Sequence, residues 1–211
     1  MKTASFLAIC GLLAVVGCSS NGGKITFESI DHKRVRTQRF GEAYIGKITT
    51  EQDAACITKT ANNEIEAVLI EDRGTQEASR SSKRKPIQPM AIAPLRQVMR
   101  IHMYWRPMAL TTKNPAAINA SIDWYVLGPE GSSDMLVYEG AAFVVLEGRG
   151  DTRRIRIKDG QIRPKFNESE GRLRDPIGAA KMHGSVRAVI SKGRVEETLK
   201  LINQQVETAA K

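Results

Sequence analysis

The side chains most apt to bind metal or act as base or nucleophile near neutral pH are few. They are three histidines, His32, His102 and His183, and three cysteines, Cys10, Cys18 and Cys56. No HxxxH, HExxH or CxxC spacing links them, so no metal site is expected. No GxSxG elbow, P-loop or GxGxxG occurs, so no cofactor is expected either. One pair merits attention. His102 lies on the polar side of one alternating run and Asp123 on the polar side of the next. If those runs pair as antiparallel strands, the two side chains can meet. That is half of a general acid–base pair, or a cross-strand polar pair on a solvated face. No nucleophile with its own pattern joins them, so the polar pair is preferred and an enzyme is not expected. The alternative is a hydrolase whose site is assembled from scattered residues.

The cations say more. Lys plus Arg number 32 against 23 Asp plus Glu, a net charge of +9 on 211 residues. In RIRIK, Arg154, Arg156 and Lys158 alternate with Ile155 and Ile157. A strand sends successive side chains to opposite faces, and slipping by one residue would bury three cations. Arg154, Arg156 and Lys158 are therefore the candidate anion-binding face. Arg96, Arg100 and Arg106 decorate a second run. Such faces attract anionic glycans, lipid headgroups or an acidic protein partner, or are simply solvated. Nucleic acid is not expected: DNA is disfavoured by the compartment to which the N-terminus points, and aromatic residues at 5% leave few platforms for RNA-type base stacking.

The N-terminus points to a compartment. Lys2 precedes an apolar run from Phe6 to Val16, too short to span a bilayer, which needs roughly 20 residues. Val15-Val16-Gly17-Cys18 follows. This resembles the lipobox of bacterial lipoproteins. The resemblance covers residues 1–20 and implies a signal peptide over 1–17, cleavage before Cys18, and a lipid on the Cys18 thiol. The chain would then sit on a membrane of the cell envelope, held by acyl chains worth about 0.8 kcal/mol per buried methylene. Ser19 stands where an Asp would favour the inner membrane, so the outer membrane is expected. Cys56 is left alone, as a reactive thiol or a small buried hydrophobe; the latter is expected.

The elements that position these groups follow from period and punctuation. Hydrophobic residues at 41% and charged ones at 26% fit a globular domain and exclude a collagen, a disordered chain or a polytopic membrane protein. Residues 18–23 read as a tether, 24–72 as a small N-terminal segment, 73–93 as a basic Ser/Pro-containing linker, and 94–211 as a β-rich domain. In the N-terminal segment EIEAVLI, at 64–70, reads as a strand, and Thr50 followed by Glu51, Gln52 and Asp53 as a helix start. Period-two runs lie at 95–105, 119–127, 135–138, 141–147, 154–158, 161–163 and 185–190. Gly148-Arg149-Gly150 reads as a turn, and Asp159-Gly160 as a type I′ hairpin. Asn119-Ala120-Ser121 matches a glycosylation sequon. Val195, Leu199, Ile202 and Val206 form one helical stripe, with Glu196 and Glu197 expected in its first turn. The predicted fold is β-rich α+β: a mostly antiparallel sheet of six to seven strands with a C-terminal amphipathic helix, a sandwich being the runner-up.

Overall fold

The computed structural model describes residues 23–30, 47–71, 96–107, 117–128, 134–168, 175 and 177–209. Cys18 and residues 1–17 before it, and the basic 73–93 stretch, lie outside the described residues. The strands are β1 (Gly23–Ser29), β2 (Lys47–Gln52), β3 (Ala54–Lys59), β4 (Ile65–Glu71), β5 (Arg96–Met103), β6 (Ala120–Leu127), β7 (Met135–Glu147), β8 (Thr152–Glu168) and β9 (Ala180–Ile190). The helix α1 (Lys192–Ala209) follows. The β-rich chain with a C-terminal helix agrees with the periodicity.

The sheet is not open, and it is not a sandwich. Strands β3 to β8 run as an antiparallel meander, each bonded to the next. β9 is antiparallel to β8 and parallel to β3 through Cys56–Val189 and Ile57–Ile190. The seven strands thereby close into a barrel. An odd up-and-down ring must contain one parallel junction, and β9–β3 is that junction. Closure joins the two end strands of the meander at that junction, and β2 is left as the outer edge of the nine-stranded sheet. β1 pairs with the first half of β9, and β2 with β1. Strands β1 to β4, from the first stretch, and β5 to β9, from the second, therefore share one sheet.

The core is the barrel interior. Met99, Ile101 and Met103 face it from β5, and Ala120, Ile122, Trp124 and Val126 from β6. Phe27 of β1 stacks on Trp124 at 4.3 Å between ring centroids, and Trp124 stacks on Tyr138 at 4.8 Å. Offset ring stacks of this kind add about 0.5–1.5 kcal/mol each beyond the area they bury. The helix packs outside. Val195 meets Cys56 and Val68, and Ile202 meets Val98, Tyr125 and Val137, while Leu199 and Val206 flank them. Cys56 is thus a buried side chain beneath the helix, 3% exposed. Glu196 and Glu197 are not in the first turn, because α1 begins at Lys192; Glu196 instead pairs with Lys192 at 3.6 Å.

Three local readings are corrected. No helix starts at Thr50. Ile48, Thr50 and Gln52 are buried alternately along β2, and Gln52 Nε2 donates to Thr50 Oγ1 at 2.9 Å. Glu139-Gly140 does not separate two strands. β7 runs straight through, because a Cβ at Gly140 would lie 2.0 Å from the Gln161 carbonyl oxygen, so only glycine admits the neighbouring strand. Asp159-Gly160 is a bulge inside β8 rather than a hairpin: the register slips there against both β7 and β9. A Cβ at Gly160 would lie 2.6 Å from Met182 Cγ, so glycine serves close packing there. The reversal between β7 and β8 is at Gly148 and Gly150, both at positive φ.

Candidate functional site

The outer wall of the barrel carries two charge patterns. The first crosses β4 to β8. Glu66 is 5% exposed and receives Arg100 Nε on Oε1 at 2.6 Å and His102 Nδ1 on Oε2 at 2.7 Å. His102 Nε2 reaches Glu64 at 3.1 Å. Arg100 faces Asp123 across the β5–β6 ladder, with 3.9 Å between the charged atoms. Further round, Glu139 pairs with Arg163 at 2.9 Å and Lys165 at 3.1 Å. The bond to Glu66 holds the Arg100 guanidinium above its ordinary value. Burial pushes the Asp123 carboxyl up against the pull of Arg100, and burial also raises the Tyr125 phenol.

The expected meeting of His102 and Asp123 does not occur. Register places Ser121 opposite His102, and Asp123 opposite Arg100. His102 turns to β4 instead, where both ring nitrogens are taken by carboxylates. The Asn119 sequon is also inaccessible in the fold. Asn119 is fully buried, donates to the Trp105 and Val144 carbonyls, and accepts the Val144 N–H at 2.7 Å.

The second pattern is on β8 and β9. Ile155 and Ile157 are buried at 1% and 3%, and Arg154 and Lys158 are exposed on the opposite face, with Arg156 half-buried beside them. Arg156 is paired with Glu147 at 3.1 Å. Arg154 makes no ion pair among the described residues: across β9 it faces another exposed cation, Arg187, and across β7 it faces Glu147, whose carboxylate is paired with Arg156 instead. Like charges directly opposite on a sheet face are destabilising. Arg154 and Arg187 border an open concavity with Glu147, Gly148, Thr152 and Arg153. The Arg153 guanidinium is turned back onto the Gly150 carbonyl in the β7–β8 turn. The arrangement can hold an anion between two guanidiniums whose repulsion the anion would relieve.

Arg187 is the residue that sequence reasoning missed. Its signal was present, since the alternation of SVRAVI sends it outward. What was hidden was its pairing with Arg154, which depends on the β8–β9 register. Among the described residues no group of three or more His, Cys, Asp or Glu is arranged to hold a metal ion. No protein-family model matches the chain, and neither the curated proteins nor the solved structures compared with it gave a match.

Proposed function

We propose that this chain is a lipid-anchored protein of the bacterial cell envelope that binds rather than catalyses, and that the outer face of β8 and β9 is its contact with anionic envelope components. The observation that carries this reading is the register pair Arg154–Arg187, two exposed cations set against each other, with the carboxylate opposite Arg154, Glu147, ion-paired to Arg156 instead. Lys158 extends the same face. A phosphate- or carboxylate-bearing glycan, lipid headgroup or acidic protein supplies the missing negative charge. The anchor rests on Val15-Val16-Gly17-Cys18 behind its apolar run. The hydrolase alternative draws no support from His102, whose two ring nitrogens are both engaged.

Two measurements test the reading. Mass spectrometry of the mature N-terminus should find an acylated Cys18, and Cys18→Ala should leave unprocessed or mislocalised precursor; an unmodified start elsewhere rejects the anchor. Replacing Arg154, Arg156 and Lys158 together with Ser should lower retention on anionic vesicles or acidic glycan while leaving the barrel folded. Retention in the wild type should fall with salt, since exposed charges are screened over about 8 Å at physiological ionic strength. Salt-insensitive retention that survives the triple replacement would reduce the face to ordinary solvation.

A further inference from the structure

The two ends of the barrel are unlike. One end gathers the close of β5, the start of β6, the β7–β8 turn and the close of β9, because register brings Met103 to Ala120, Ala120 to Ala142, and Ile190 to the Asp151 carbonyl. Among the described residues, the exposed large apolar side chains concentrate there. Tyr104 is 53% exposed, Trp105 40% and Ile118 63%, and Ile190 lies at the same end; only Ile30 and Leu201 lie elsewhere. Exposed cations share this end: Arg106 beside Trp105, Arg149 in the turn, and Arg187 near the end of β9. Acidic residues are present too, but Glu64 is engaged by His102 and Glu147 by Arg156, leaving Asp151 at the turn. Tyr and Trp beside cations match the interface of an anionic bilayer, where the rings sit at headgroup level and the cations meet phosphates.

The tether supplies an independent measure. β1 runs away from this end, so its first residue, Gly23, faces toward it. Lys24 pairs with Ser185, and β9 continues from there to Ile190, about 17 Å at strand rise. From Cys18 to Gly23 the chain can span at most about 17 Å. A lipid on Cys18 can therefore barely reach past the end of the barrel. We infer that the barrel docks end-on against the anionic membrane that holds its anchor, with Tyr104, Trp105 and Ile118 in the headgroup region and Arg106, Arg149 and Arg187 on lipid phosphates. The orientation rests on the proposed lipid anchor; the aromatic and basic end stands without it. Among the described residues no helix is long and apolar enough to cross a membrane.

Trp105 is a built-in reporter, because the other tryptophan, Trp124, is stacked inside the barrel at 3% exposure. The full chain is incubated with vesicles of phosphatidylcholine, with and without phosphatidylglycerol, and with bromine-labelled acyl chains as quencher. Anionic vesicles should blue-shift and quench the wild type, and Trp105→Phe should abolish both changes. Neutralising Arg106 and Arg149 should weaken the vesicle-dependent signal roughly fivefold for each charge removed. Flotation on neutral vesicles reads the lipid anchor separately. A chain that floats with Trp105 unquenched keeps its anchor and overturns the docking. A chain that does not float on neutral vesicles but is quenched on anionic ones loses the anchor and keeps the docking surface. Quenching that persists in Trp105→Phe would place the wrong side of the barrel on the bilayer and overturn the proposal.

Discussion

The two halves of β8 carry similar cations in opposite circumstances. Beyond the bulge, Arg163 and Lys165 both rest on Glu139 of β7. Before it, Arg156 takes the Glu147 carboxylate, which leaves Arg154 standing against Arg187 and Lys158 with no ion pair among the described residues. The difference is one of neighbours, set by register. The Asp159-Gly160 bulge adds a residue, so buried positions change from Ile155 and Ile157 to Gly160 and Ile162. Each half then meets a different row of the adjoining strands. Positive charge alone does not mark a binding surface. Charge that the fold leaves uncompensated, at a small cost, is the sharper mark.

The comparison breaks most violently from inside. Ile155→Asp should unfold the barrel, because a buried carboxylate without a partner costs above about 4 kcal/mol. Chemical denaturation checks this, and a folded variant would show that Ile155 does not set the face. Next is the compensated wall. Glu66→Ala should cost about 2–3 kcal/mol, since it removes the buried carboxylate that Arg100 and His102 share and leaves them only Asp123 and Glu64. An unchanged unfolding midpoint would remove the contrast.

A smaller effect comes from acid. Lys47 holds the Glu28 carboxyl below its ordinary value, and Lys165 with Arg163 does the same for Glu139. A lowered carboxyl contributes stability above its unfolded value and loses it as pH falls. Asp123, raised by burial, acts in the opposite sense. Thermal melts should therefore drop below the ordinary carboxylate range, less in Arg163→Ser/Lys165→Ser and more in Asp123→Asn. Smallest of all is the basic face itself. Arg154→Ser or Arg187→Ser should change stability by no more than about 0.5 kcal/mol, and in the stabilising direction, by relieving repulsion. A clear loss of stability in either would mean that the two cations are structurally satisfied.

Legibility followed the range of the interaction. The inward sets Met99, Ile101 and Met103, and Ala120, Ile122 and Trp124, were readable because the pleat alone decides them. So was the helical stripe from Val195 to Val206. Gly140 and Gly160 misled because a glycine that ends a strand and one that lets another strand approach look alike in one dimension. The odd spacing from Ile157 to Ile162 did record a change of face, which a hairpin and a bulge explain equally; only pairing with the long β7 decides between them. β2 was not readable as a strand, since Thr50 and Gln52 on its inward side are buried polar residues, Gln52 donating to Thr50. Closure was invisible, because it rests on the parallel contact of Cys56 and Ile57 with the distant Val189 and Ile190. His102 was correctly placed on the outer face, but its partner lay one strand to the other side.

The most direct test sets the two halves of β8 against each other with the charge change held equal. Arg154→Ser/Arg187→Ser and Arg163→Ser/Lys165→Ser each remove two positive charges. The measurement is the salt concentration that releases each variant from an immobilised acidic polysaccharide, with the wild type alongside. The account predicts that the first pair is released at markedly lower salt and the second close to the wild type. Equal displacement of both would show that only net charge governs retention, and would contradict the claim that the uncompensated face is the binding surface.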